Sequence, residues 1–243
     1  ELQRERARLR EAFFAHPDTP KLLKGPARLV DRVLESVWRE SRMPADFTLL
    51  AVGGYGRGKL FPHSDIDVLV LRTSADGQHA DTIQHFLATL WDIGIEVAHA
   101  TRTIGECMSE MAADVTVCTS LLEHRRIAGS KPLAREFGKR YAASLDVRAF
   151  YSAKALEQQQ RHQKYQDATY NLEPNVKESP GGLRDLQSVL WIAAAADLGR
   201  SWRELAHHGL MTMAEARSAS RQERLMSAMR VRLHYLAGRR EDR

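Results

Sequence analysis

The stretch Phe47-Thr48-Leu49-Leu50-Ala51-Val52-Gly53-Gly54-Tyr55-Gly56-Arg57-Gly58-Lys59-Leu60-Phe61-Pro62-His63-Ser64-Asp65-Ile66-Asp67-Val68-Leu69-Val70-Leu71 decides how this chain is read. Phe47 to Val52 is an apolar run that predicts a buried strand. A turn dense in glycine follows, where missing Cβ atoms let the backbone approach a ligand closely. Ile66 to Leu71 is a second apolar run, with Asp65 and Asp67 at its start. Two apart on a strand, these side chains point to one face. Carboxylates so placed repel each other unless a cation lies between them. Mg²⁺ together with phosphate oxygens suits that donor set, and backbone N–H groups of a glycine turn suit phosphate oxygens. Glycine turn and paired acids therefore point to phosphoryl or nucleotidyl transfer, where catalysis is mostly positioning and charge stabilisation.

Upstream, Leu2 to Ala15 reads as a charged helix that ends near His16-Pro17. Pro26 to Glu40 reads as a second helix, with Leu29, Val33, Leu34, Val37 and Trp38 on one face. Downstream, His79 to Asp92 carries Ile83, Phe86, Leu87 and Leu90 at helical spacing, and Ile95 to His99 reads as a short strand. Thr103-x-x-Glu106 matches a capping box. Asp114 to His124 reads as helix, Arg125 to Ala128 as an edge strand and Lys131 to Ser144 as helix.

Strand signals vanish from about Asp146. Helices are predicted over Val147 to Ala168, Leu183 to Leu198, Trp202 to His208 and Met213 to Ala237, with an irregular stretch from Tyr170 to Gly182. Ser201-x-x-Glu204 and Thr212-x-x-Glu215 match capping boxes, and Gly238 is a stop. The pattern predicts an α+β protein: N-terminal helices over 1–45, a small mixed β-sheet domain packed with helices over 46–145, and an all-helical domain over 146–243.

The 243 residues are 43% hydrophobic and 28% charged, the composition of a soluble globular protein. The net charge of +5 suits a polyanionic small ligand such as a triphosphate. Lys and Arg are mixed with acids along the chain, which argues against a nucleic-acid footprint. Cys107 and Cys118 fall in helical-looking sequence and read as buried, reduced thiols of a cytoplasmic protein. The charged start, Glu1 to Arg6, is no signal peptide, and the apolar run Trp191 to Ala196 is too short to span a membrane. Both ends fall inside helical patterns, as expected of a piece of a longer protein.

Gly53-Gly54 followed by Asp65-Ile66-Asp67 resembles the signature of the DNA polymerase β-like nucleotidyltransferases. The longer string from Gly53 to Asp67 is similar to the PII signal-protein uridylyltransferases, bifunctional uridylyltransferase/uridylyl-removing enzymes of bacterial nitrogen control. Tyr170-Asn171-Leu172-Glu173-Pro174-Asn175-Val176-Lys177-Glu178-Ser179-Pro180-Gly181-Gly182-Leu183-Arg184-Asp185 resembles that family's helical domain. The resemblance implies that a tyrosine hydroxyl of PII attacks the α-phosphorus of UTP with Mg²⁺ as cofactor, and that pyrophosphate leaves.

It further implies that Asp65 and Asp67 are the metal-binding pair. Glu96 is the candidate third carboxylate, binding one ion and helping to deprotonate a hydroxyl of pKa about 10. Gly53, Gly54, Arg57 and Ser64 are the expected nucleotide-binding residues. Lys177 and Arg184 are expected to reach the triphosphate from the helical side, brought there by Pro180-Gly181-Gly182. Lys59 stands where the family more often has an acid, and no role is assigned to it. His162, His207 and His208 read as solvated, and His99 as a strand-end residue. No histidine is followed directly by aspartate. The family's metal-dependent uridylyl-removing domain and glutamine-sensing domains are therefore not expected within these residues. Adenylyl transfer to a protein tyrosine, nucleotide addition to an RNA end and a non-catalytic nucleotide-binding regulatory module are the competing readings. Nothing in the sequence reads uracil against adenine, and the mixed charges disfavour RNA.

Overall fold

A computed structural model describes residues 2–15, 19–75, 79–166 and 173–243. The elements are α1 (Leu2–Ala15), α2 (Thr19–Glu40), β1 (Thr48–Ala51), α3 (Gly53–Gly56), β2 (Ile66–Arg72), α4 (Ala80–Asp92), β3 (Val97–Thr103), α5 (Ile104–Ala113), α6 (Val115–Leu122), β4 (Arg125–Gly129) and α7 (Lys131–Ser144). They continue with α8 (Val147–Gln166), α9 (Leu183–Ala195), α10 (Trp202–His207) and α11 (Met213–Ala237). The fold is α+β, with one mixed four-stranded sheet among the described residues. The chain divides into two compact units, one of residues 1–6, 21–60 and 64–144, the other of residues 7–20, 61–63 and 145–243.

In the first unit the sheet runs in the order β3-β2-β1-β4. β1 pairs antiparallel with β2 and with β4, and β2 pairs parallel with β3. All four residues of β1 are buried, as a central strand covered on both faces requires. Ile66, Val68 and Val70 of β2 pack with Val30, Leu34 and Trp38 of α2 and with Phe86 and Leu90 of α4. Side chains alternate along a strand, so with these three facing one core Asp67 belongs to the opposite face. Thr103 and Glu106 form the expected capping box at the start of α5.

Several boundaries differ from the sequence reading. α2 begins at Thr19 and holds Pro26 in its interior, because Leu22 and Leu23 are buried and extend its apolar face. Tertiary burial there outweighs the lost backbone bond. β3 covers Val97–Thr103 because it follows β2 residue for residue from Ile66↔Val97 to Arg72↔Thr103. Glu96 therefore lies just before the strand, not inside it, and His99 lies within it. The glycine turn is a single helical turn, α3, entered through Gly53 at φ +55.

In the second unit Ala193, Trp202, Leu205 and Ala216 pack α9, α10 and α11 together. α9 stops at Ala195, earlier than Leu198, where Asp197 turns left-handed at φ 56. Gly238 ends α11 in the left-handed conformation, as read from sequence. At the second cap Ser201 receives the Glu204 N–H, but the Glu204 side chain accepts from Arg200 N rather than closing a capping box. The last two residues predicted for α8 and Tyr170 to Leu172 lie outside the described residues.

Candidate active site

The short run from β1 through α3 to β2 sets the site. The Val52 N–H donates to the Asp67 carbonyl at 3.1 Å, and the Gly56 N–H to the Val52 carbonyl at 2.9 Å. The chain therefore turns over the mouth of β2. A Cβ on Gly53 would stand 3.4 Å from Asp67 Oδ2 and 3.4 Å from Ser120 Oγ. Gly53 thus leaves room against the Asp67 carboxylate, and its positive φ is one that L side chains rarely adopt. Asp67 is half-buried and Asp65, at the open end, is exposed.

A part-buried polar network, with Tyr55 at its buried end, holds this turn. Tyr55 is buried, and its hydroxyl donates to Asp31 Oδ1 at 2.5 Å. Arg125 grips the same carboxylate in two bonds, of 2.9 and 3.0 Å. It also donates to the Gly56 carbonyl at 3.3 Å and to the Tyr55 carbonyl at 3.4 Å, with its guanidinium 5.5 Å from the Tyr55 ring centre. Burial, reinforced by the bond to Asp31, pushes the Tyr55 phenol far above its usual range, so it stays neutral. Gly56 has a different task. A Cβ there would overlap the Glu123 carbonyl oxygen and lie 2.9 Å from its carbon, so α3 and the end of α6 touch backbone to backbone.

The expected residues fall as follows. Gly53, Gly54, Arg57, Ser64, Asp65, Asp67 and Glu96 all lie in the first unit. Arg57 Nη1 pairs with Glu123 Oε2 at 2.5 Å. The β2–β3 register, continued one residue back from Ile66↔Val97, sets Glu96 beside Asp65. Glu96 is exposed, and among the described residues no three His, Cys, Asp or Glu side chains are gathered closely enough to hold a metal. The protein donors at the turn are thus the two aspartates. That set fits Mg²⁺, which usually keeps water and binds through one or two carboxylates plus substrate phosphate.

Lys177 and Arg184 lie in the second unit, where both meet Glu178, at 3.3 and 3.2 Å. Arg184 also stands 5.3 Å from the Trp191 ring centre. Asp185 is the hub of that segment, accepting from Gly181 N, Gln158 Nε2 and Arg161 Nη2. His162 Nε2 lies 2.9 Å from it, which corrects the expectation of a solvated histidine. His207 and His208 are exposed. Sequence reasoning missed Asp31, Ser120, Glu123 and Arg125. None carries a motif, and the chain brings them to the turn from far along the sequence.

Two families match. Residues 30–127 match the family described as nucleotidyltransferase domain, and residues 149–243 match GlnD PII-uridylyltransferase. The bifunctional uridylyltransferase/uridylyl-removing enzyme of Aromatoleum aromaticum is 53% identical over 237 residues, covering 97% of this chain and 28% of that protein. The protein of the same name from Burkholderia pseudomallei is 50% identical over 243 residues, all of this chain and 28% of that protein. The chain is similar to these two proteins along essentially its whole length. It spans about 28% of the length of these curated relatives. Among solved structures, a toxin-antitoxin complex with AMP-PNP aligns over 54% of this chain and 91% of its own, at 15% identity and a TM-score of 0.29, too slight a likeness to bear on fold or function. No helix among the described residues is long and apolar enough to cross a membrane.

Proposed function

We propose that this chain transfers UMP from UTP to a tyrosine hydroxyl of a PII-type signal protein, with release of pyrophosphate. The observation that carries the reading is the Asp67 carboxylate lying against Gly53, with Asp65 two residues before it at the mouth of β2. Acids so placed would hold Mg²⁺, and the glycine turn would receive the phosphates. Mg²⁺, when bound, supplies positive charge to the attacking, leaving and non-bridging oxygens. Gly53 and Gly54 give the phosphates close access to backbone, while Arg57 and Ser64 orient them. The tyrosine oxygen forms a bond to the α-phosphorus as the bond to the leaving pyrophosphate breaks. Glu96, exposed beside Asp65, takes the hydroxyl proton. We further infer a cytoplasmic reaction, a reading that the free, buried thiols of Cys107 and Cys118 support.

Incubation with Mg²⁺, labelled UTP and PII tests this. Label should reach a PII tyrosine and be lost in both Asp65→Ala and Asp67→Ala. Transfer that survives both substitutions contradicts the site. Preferential transfer from ATP moves the reading to adenylyl transfer, and nucleotide binding without transfer moves it to a regulatory module.

A further inference from the structure

A separate cavity, of about 510 Å³, lies in the first unit beside β4, one of the two edge strands of the sheet. Leu50 forms part of its lining. Arg125 and Arg126 of β4, Lys131 and Arg135 of α7, and His124 complete its polar wall. No carboxylate lines it. Arg125 is already compensated by Asp31, and Arg126 donates to the Gly129 carbonyl at 3.2 Å. Among the described residues the side chains of Lys131 and Arg135 are exposed and make no hydrogen bond or ion pair. They stand four apart on one helix, where like charges repel. Arg126, Lys131 and Arg135 thus converge on one cavity with no carboxylate in its lining to offset them, an arrangement that favours an entering anion. Gly138, the next position along that face, keeps the wall open: a Cβ there would meet His124 Nε2 at 3.4 Å.

We propose that this cavity binds a phosphate-bearing small molecule. Arg126, Lys131 and Arg135 hold its charge, and Ala134, half-buried, is the accessible apolar side chain of its wall. Its lining includes neither Asp65 nor Asp67, so it is a second anion site of the first unit. Arg125 lines it while also holding the Tyr55 and Gly56 carbonyls, which connects the cavity to the glycine turn.

The test is calorimetric titration of inorganic pyrophosphate into the chain with a metal chelator present, so that no Mg²⁺ recruits the anion to the aspartates. Saturable binding is expected. It should weaken about a hundredfold in the Lys131→Ala/Arg135→Ala variant, at about tenfold for each charge-assisted bond lost. The charge-preserving Lys131→Arg/Arg135→Lys variant should keep most of the affinity, and Asp67→Ala all of it. ATP in place of pyrophosphate separates the two sources of phosphate: tighter binding of ATP assigns a nucleotide, equal binding a bare phosphate group. Absence of saturable binding, equal affinity in the double alanine variant, loss in Asp67→Ala, or binding of single-stranded RNA but not of pyrophosphate overturns the proposal. Failure of uridylyl transfer with binding intact leaves this site standing and counts against the active-site reading alone.

Discussion

Alanine substitution at three neighbouring glycines should give three different outcomes, because each glycine is glycine for a different reason. At Gly56 a Cβ would overlap the Glu123 carbonyl oxygen and lie 3.1 Å from the Ala51 carbonyl oxygen. Backbone blocks it on both sides, so α6 must move or α3 must unwind. Overpacking typically costs about 1–3 kcal/mol, and a clash with backbone that cannot rotate away belongs at the upper end. At Gly53 the space is ordinary, with the nearest atoms at 3.4 Å, but φ is +55. The left-handed conformation costs a non-glycine residue about 1–2 kcal/mol. At Gly54 a Cβ would meet Arg57 Nη2 at 3.5 Å with no strained φ, and alanine favours helix over glycine by up to about 1 kcal/mol. The expected order of destabilisation is Gly56→Ala, then Gly53→Ala, with Gly54→Ala neutral or stabilising. Amide exchange at β1 and β2 under urea reads the first unit alone, separate from the second. Activity should follow another order. Gly53→Ala sets a methyl group beside the Asp67 carboxylate and should lose the most transfer at temperatures where the variants are folded. A Gly56→Ala protein as stable as Gly54→Ala would refute the backbone contact on which this reasoning stands.

Four further outcomes follow from the same geometry. Arg57→Ala should raise the KM for UTP with a stability loss of at most about 1 kcal/mol, since the Arg57–Glu123 pair is part-exposed, as checked by initial rates and urea melts. Asp31→Ala strips the acceptor from both Tyr55 and Arg125 and should cost about 2–3 kcal/mol, with Asp31→Asn recovering part of it. Burial opposes ionisation of Asp185, but Arg161, the Gly181 N–H, His162 and Gln158 outweigh it and hold its carboxyl at about 2. Its contribution is therefore complete above the unfolded pKa and fades as pH falls from about 4 towards 2. Acid melts should show a loss of roughly 1 kcal/mol, discounted for solvent screening, that Asp185→Asn does not show. Burial raises the Cys107 thiol to about 11, so it should resist a thiol reagent at pH 8 until the chain unfolds.

How much of the molecule the sequence disclosed depended on the range of the forces involved. The α4 stripe of Ile83, Phe86, Leu87 and Leu90 is buried throughout, because a period of 3.6 is a local property of the chain. α7 and α11 run over the residues read for them, and caps at Thr103 and Thr212 form where the motifs stand. β3 was misjudged because a parallel partner, not its own residues, fixes its length. Pro26 misled the start of α2 because proline is at home in a first helical turn and Leu22 and Leu23 had not been counted as core. At the site, glycines and aspartates are legible since their roles follow from the atoms they lack or carry. Asp31 and Arg125 are not, since each is an ordinary charge until the fold sets it against Tyr55.

The second signature shows the same division more sharply. Read as sequence, Asn175 to Asp185 looks like a loop that delivers cations to a ligand. In the fold it is first a closed set of bonds. Asn175 Oδ1 accepts from the N–H groups of Lys177 and Glu178, the Leu183 N–H returns to the Val176 carbonyl, and the Arg184 N–H to the Lys177 carbonyl. A Cβ on Gly182 would lie 2.8 Å from the Ser179 carbonyl oxygen and 2.9 Å from that of Lys177, so that glycine is required by packing. Asp185 then clamps the segment to α8 through Arg161 and Gln158. A motif of this density explains itself by its own hydrogen bonds before any ligand is invoked. Lys177 and Arg184 differ from the rest of the string in one respect: they share the single carboxylate of Glu178, which leaves this pair with an excess of positive charge. That excess, rather than the length of the matched string, is the one feature of the segment that its own hydrogen bonds do not absorb.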